Sequence, residues 1–239
     1  MDNLIEDIVI LKKLGLTPIL VHGGGLGIKK KLDEQNIKSK FIMGLRVTDE
    51  KMINIVEGVM TEFNKEIVKA LEKKSCKAKS ITIKENNIIY VEQENQELGF
   101  VGKPKRVDAK QLKEIIKEDF IPVIVPMGLD DKGITYNINA DTAAGAIARS
   151  IRSRRLMLLT DIDGVLDDND KLISEINTAE AKELINSETI HGGMIPKVKT
   201  CIDAINNGVR AVVILDGRKP HSILFELFSD KGSGTLIRK

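Results

Sequence analysis

A chain of 239 residues, 42% hydrophobic and 30% charged, has the length for one large α/β domain or for two lobes sharing a sheet. Its formal net charge of +2 supplies no strong field for nucleic acid or a membrane surface, and 3% aromatics with no Trp gives base stacking little material. No apolar run approaches bilayer-spanning length, the N-terminus is acidic rather than signal-like, and Cys76 and Cys201 lie far apart in no metal-like spacing. The expectation is a cytoplasmic protein with free thiols, no protein-held metal, and neither nucleic acid nor membrane as partner.

In chain order, Leu4, Ile8, Leu11 and Leu14 recur at helical spacing until Gly15 ends the run. Pro18–Val21 reads as a short buried strand that enters His22-Gly23-Gly24-Gly25, and a helix begins near Leu26. A loop, Gly44-Leu-Arg46-Val-Thr48-Asp49, precedes a long helix. Thr48 or Asp49 can cap it, and Met52, Ile53, Val56, Val59, Met60, Phe63 and Ile67 form its apolar face. Residues 80–93 read as a hairpin: Ile81 and Ile83 lead out, Asn86-Asn87 turns, and Ile89 and Val91 return. Helices are then expected over 108–118, 141–151, 178–186 and 195–207, alternating with strands at 122–125, 156–159 and 211–215. Apolar strands alternating with helices argue for a mainly parallel sheet covered on both faces. Ligands bind such sheets beyond the carboxyl ends of the strands, which singles out the loops 22–25, 126–141, 160–167 and 216–218.

Five segments carry residue types suited to chemistry. Gly23-Gly24-Gly25 after a buried strand lets backbone N–H groups approach an anion, helped by the positive end of the following helix. The lipase-type use of His-Gly-Gly-Gly needs a Gly-x-Ser-x-Gly elbow, which does not occur; nor does a P-loop or a Gly-x-Gly-x-x-Gly motif. Arg46, in a loop just before a helix, suits bidentate carboxylate recognition. Asn137-Ile-Asn139-Ala-Asp141 opens an Ala-rich helix, where capping accounts for Asn139 or Asp141 but not for all three polar residues. Thr160-Asp161-Ile-Asp163-Gly164-Val-Leu166 places carboxylates at the end of a buried strand. The same stretch resembles the nucleophile motif of haloacid-dehalogenase-type phosphatases. Fewer than about 80 residues follow it, which is short of the rest of such a core. Finally, Gly192-Gly193-Met-Ile-Pro196-Lys197 puts a lysine in a helix's first turn, against its dipole preference, which fits a cation that neutralises phosphate.

Taken in order and with the terminal Gly234-Thr-Leu-Ile237, these segments resemble the amino-acid kinase family, and within it the acetylglutamate kinases, to which Gly44-Leu-Arg-Val-Thr-Asp49 points. The resemblance covers nearly the whole chain. It implies an α/β three-layer αβα sandwich with an eight-stranded, mainly parallel central sheet. It implies one domain over 1–239, with an acetylglutamate-side lobe of about 1–135 and a nucleotide-side lobe of about 136–239. The reaction implied is transfer of the ATP γ-phosphoryl group to the side-chain carboxylate of N-acetyl-L-glutamate, a step of arginine synthesis, with Mg2+ carried on the ATP phosphates. By the family's pattern Gly24 and Gly25 hold the substrate or the moving phosphoryl group, Arg46 clamps the substrate's α-carboxylate, and Asn137 helps to hold that substrate. Lys197 stabilises charge on the phosphates and Asp141 orients lysine side chains. Thr160, Asp161, Gly164, Leu166, His191, Gly192 and Gly193 border the nucleotide. A homodimer is expected, and the tail Pro220–Gly232 looks like the tails of arginine-inhibited members. The family's opening strand ends in Lys-x-Gly-Gly, which occurs nowhere in this sequence, so the fold is expected without that strand and its lysine. That departure raises the alternative of a ligand-binding member without turnover; a related kinase acting on carrier-bound aminoadipate or glutamate is a further alternative within the same family.

Overall fold

A computed structural model describes residues 1–239 and divides them into two units, Gly15–Ala146 and Met1–Leu14 with Ile147–Lys239. In the first unit, β1 (Leu20–Val21), β7 (Ile121–Ile124) and β4 (Ala78–Ile81) form an all-parallel sheet with β7 in the middle. Every residue of β7 is buried, as expected of a parallel strand with helices on both faces. Those helices are α3 (Glu50–Lys73) and α4 (Ala109–Lys117).

The helix α3 begins where Asp49 accepts from the N–H groups of Lys51 (2.9 Å) and Met52 (2.8 Å). Its buried stripe is Met52, Ile53, Val56, Met60, Asn64, Ile67 and Leu71, and it packs against Ile28 and Leu32 of α2 (Gly25–Glu34). Each fully buried side chain of this size contributes about 1.5–3 kcal/mol. Asn64 is the anomaly, a wholly buried amide within an apolar stripe.

A second sheet of this unit runs β6 (Gly102–Val107), β5 (Ile89–Gln93), β8 (Met127–Leu129) and β9 (Thr135–Asn137). A small hairpin, β2 (Phe41–Ile42) with β3 (Leu45–Arg46), stands apart from both sheets. The expected hairpin over 80–93 does not form. β4 joins the parallel sheet through β7, while β5 pairs antiparallel with β6 and parallel with β8. Alternation between apolar and polar residues identified the strands but carried no information on their partners. Likewise the segment 126–141 is not one loop, because it holds the antiparallel pair β8–β9.

In the second unit the sheet order is β10 (Arg155–Thr160), β12 (Ala211–Asp216), β13 (Gly234–Arg238), β11 (Glu175–Asn177). The outer pairs are parallel and the central β12–β13 pair is antiparallel. Around it lie α1 (Asp2–Lys13), α6 (Thr178–Asn186), α7 (Met194–Asn206) and α8 (Ser222–Phe228). A capping box, Asn177 with Glu180, starts α6. α1 is tied to the turn before α8 by His221 Nδ1, 2.6 Å from the buried carboxylate of Asp7. The boundary between the units falls inside α5 (Ala140–Ser150). Both cysteines are buried and neither is in a disulfide, and no helix is long and apolar enough to cross a membrane.

Candidate active site

The glycine loop leaves β1 at the carboxyl end of the β1–β7 pair, where His22 N–H reaches the Ile124 carbonyl at 3.4 Å. Gly24 is the N-cap of α2, and no side chain caps the helix. Its first-turn N–H groups therefore remain available to an anion, reinforced by the helix dipole. Gly24 has no room for a side chain: a Cβ there would lie 2.6 Å from Met60 Sδ and 3.2 Å from its Cε. Gly23 and Gly25 are exposed, with no atom closer to an added Cβ than Ala140 Cβ, at 4.0 Å from that of Gly23. The cradle of backbone donors thus fits phosphate or carboxylate oxygens.

Arg46 lies at this loop. Its Nη2 donates to the Gly25 carbonyl at 3.5 Å, Nη1 donates to Ser39 Oγ, and the guanidinium stacks over Phe41 with Cζ 4.7 Å from the ring centroid. Partial burial pulls its pKa down, so an incoming carboxylate would meet a cation short of solvation. Of five guanidinium donors, two are used in these bonds.

Asn137 ends β9, its N–H donating to Phe100 O at 2.9 Å, and its half-buried side chain belongs to the same unit. Two residues on, Asn139 caps α5 by accepting from Thr142 N at 3.1 Å, so Asp141 is released from capping and sits in the first helical turn. The 4.0 Å approach of Ala140 Cβ to a Cβ at Gly23 brings the start of α5 against the glycine loop. Gly24, Gly25, Arg46, Asn137 at the end of β9 and the start of α5, which holds Asp141, thus all lie in the Gly15–Ala146 unit.

The residues expected to border a nucleotide lie in the other unit, several of them at the carboxyl ends of the parallel strands β10 and β12. Thr160 and Asp216 are register partners there, and Gly217 N–H donates to Thr160 O at 2.9 Å. Asp161 is exposed, while Asp163 forms an ion pair with Lys219 at 2.8 Å. Gly164 is buried at φ +154°, and a Cβ on it would come within 2.5 Å of Thr235 Oγ1. The Thr235 hydroxyl accepts from Val165 N at 2.8 Å and donates to Ile173 O at 2.7 Å, which fixes the loop; Leu166 bridges to Leu172.

His191, Gly192 and Gly193 are exposed and lead into α7, which carries Lys197 in its first turn. α7 packs on β12 and returns to it through a short turn. At 1.5 Å per residue, the helix is about as long as the strand, so its N-terminus lies toward the carboxyl end of β12, the rim that holds Thr160 and Asp216.

Three residues were given no role by sequence reasoning, although two of them lie in the 216–218 loop that it singled out. Arg218 donates to Asp216 through its backbone N–H (2.8 Å), Nε (2.9 Å) and Nη2 (2.8 Å), and this grip holds the Asp216 carboxyl down to about 2. The charges of Asp161 and Asp163 also raise the Arg218 pKa. The signal was present in Asp216-Gly-Arg218 at a strand's end. Asn64 is the third: it falls on the 60, 64, 67, 71 stripe of α3, and its side chain lies against His22.

The chain was compared with known proteins. The family model described as the amino acid kinase family matches residues 1–216. An acetylglutamate kinase from Pelagibacter ubique is 63% identical over 235 residues, 98% of this chain and 82% of that protein. One from Methylobacterium nodulans is 46% identical over 252 residues, covering 100% and 83%. Among solved structures, N-acetylglutamate synthase from Neisseria gonorrhoeae, complexed with coenzyme A and N-acetyl-glutamate, superposes with a TM-score of 0.86 at 26% identity, covering 100% of this chain and 55% of that one. The glycine cradle, the arginine beside it and the carboxylate-rich rim of the second unit's sheet thus belong to a chain related over nearly its whole length to acetylglutamate kinases, and this chain is a member of the amino acid kinase family.

Proposed function

We propose that this chain transfers the γ-phosphoryl group of ATP to the side-chain carboxylate of N-acetyl-L-glutamate, giving N-acetyl-L-glutamyl 5-phosphate in arginine biosynthesis. The observation that carries this reading is the 63% identity, over 98% of the chain, to the Pelagibacter ubique acetylglutamate kinase. Arg46, partly desolvated beside the glycine loop, supports it because a site that phosphorylates one carboxylate of its acceptor needs a fixed cation for the carboxylate that does not react.

A carboxylate oxygen of the acceptor attacks the γ-phosphorus, the bond to the β-phosphate oxygen breaks, and ADP leaves. The chemistry asks the protein for positioning and charge stabilisation rather than for a covalent intermediate. Gly24 and Gly25 present N–H groups to the reacting anion, Arg46 clamps the α-carboxylate, and Asn137 steadies the same substrate. Lys197 neutralises charge on the transferring and leaving phosphates, with Asp141 as an orienting carboxylate. Thr160, Asp161, Gly164, Leu166, His191, Gly192 and Gly193 border the nucleotide. Mg2+ on the ATP phosphates would offset their charge. The reading places the enzyme in the cytoplasm, which two buried cysteines held in no disulfide support. It also takes the protein as a homodimer, supported by the outer edge of β4, which has no partner strand and borders a groove of 680 Å³ lined by Glu57, Lys65, Thr82 and Lys84.

The test is an assay for ATP-dependent acyl phosphate, trapped as the hydroxamate. Acetylglutamate should support turnover, and Lys197→Ala should lower kcat by about 10²-fold or more. Equal rates in that variant, or tight acetylglutamate binding without turnover in the parent chain, would overturn the proposal.

A further inference from the structure

The buried polar residues under the glycine loop form a directed chain. Asn64 is wholly buried, and its Nδ2 lies 2.9 Å from Val123 O and 3.1 Å from His22 Nε2. A main-chain carbonyl can only accept, so the Asn64 atom that faces it must be the amide nitrogen. Its second N–H then points at His22 Nε2, which must offer a lone pair. A neutral imidazole with a bare Nε2 carries its proton on Nδ1, and Nδ1 lies 3.0 Å from Gly23 O. The ring is held by an edge contact with Phe63, centroids 5.2 Å apart at 84°. Burial lowers the His22 pKa, which keeps the ring neutral near pH 7. The order of donors is therefore set by β7: Asn64 to Val123, Asn64 to His22, His22 to Gly23.

That last bond has a consequence for the loop. The Gly23 carbonyl and the Gly24 N–H belong to one planar trans peptide, so they point in opposite directions. Holding the carbonyl against His22 turns the Gly24 N–H away from the buried network, toward the uncapped first turn of α2. We propose that His22 and Asn64 are positioning residues, which fix the tautomer of His22 and thereby aim the Gly24 N–H at the acidic group bound by the glycine loop. The arrangement is costly to hold: Asn64 Oδ1 is buried with no hydrogen-bond partner, an expense that packing alone would avoid with an apolar residue. This inference rests on the reading of the glycine loop as the anion cradle of the kinase.

Two measurements test it. The sequence has three histidines, His22, His191 and His221, so ring ¹⁵N–¹H correlation spectra of the full chain, assigned with His191→Gln and His221→Gln, read the His22 tautomer directly. The expected spectrum shows a neutral ring protonated on Nδ1, replaced by a tautomer mixture in Asn64→Leu; an Nε2–H ring in the parent chain would overturn the proposal. For kinetics, His22→Asn keeps an N–H donor close to the place of Nδ1, whereas His22→Leu keeps the bulk and loses the donor. With both variants folded by circular dichroism, His22→Leu should lose about 10- to 100-fold in kcat with little change in either KM, and His22→Asn should recover most of it. Leu and Asn variants with equal kcat would overturn the proposal. Absence of acetylglutamate turnover in the parent chain would count against the proposed function, and the tautomer spectrum would then decide the relay by itself.

Discussion

Replacing Gly24 by alanine tests the tightest contact of the glycine loop. The added Cβ would lie 2.6 Å from Met60 Sδ, about 1 Å inside an ordinary contact distance. Met60 is 4% exposed and packed with Ile28, Val56 and Met127, so its thioether can yield only by disturbing the α2–α3 core. Methionine is the most adaptable of core residues, which places the stability cost toward the lower part of the overpacking range, about 1–2 kcal/mol. The larger effect falls on the loop. If it moves outward to relieve the contact, the Gly24 N–H shifts by a fraction of an ångström, and kcat should fall about 10- to 100-fold. The decisive assay is a double-mutant cycle with Met60→Ala, read both as urea midpoint and as hydroxamate formation. Met60→Ala alone removes the atoms in the way and leaves a cavity costing about 2–5 kcal/mol. The double variant should therefore be more stable than the sum of the two single losses by about 1 kcal/mol, and should regain part of kcat. Strict additivity in both readouts would refute the steric account of Gly24.

Arg46→Lys keeps the charge but loses the planar fork, so KM for acetylglutamate should rise about tenfold or more while KM for ATP stays nearly unchanged; an unaltered acceptor KM would remove Arg46 from the substrate clamp. Gly164→Ala combines a φ of +154° with a Cβ 2.5 Å from Thr235 Oγ1, and should cost about 3 kcal/mol in urea unfolding, against about 1 kcal/mol for Gly133→Ala, where φ is +78° and the space is open. The pH dependence of stability follows from His22. Its folded pKa lies below the ordinary 6.5, so the unfolded chain binds the proton more readily, and the native state should lose stability as pH falls below about 6.5. His22→Asn should flatten that part of the stability profile, seen as urea midpoints measured between about pH 7 and pH 5.

The sequence by itself determined the element types and the chemistry-bearing loops. Periodicity located α3 and narrowed its cap to Thr48 or Asp49, apolar runs located β7, β10 and β12, and the ordered motifs pointed to the amino acid kinase family, because local hydrogen bonding and burial pattern depend on neighbours along the chain. Strand partners were another matter. β4 and β5 read as two arms of one hairpin, yet β4 pairs with β7 and β5 with β6 and β8, since alternation sets which face is buried but not which strand lies alongside. The short strands β11 and β13 likewise needed contacts between distant segments. Asn64 marks the same limit most sharply. Its helical spacing places it in the core, but only the tertiary structure supplies the carbonyl of Val123 and the ring of His22, the partners that turn a buried amide into a directional support for the glycine loop.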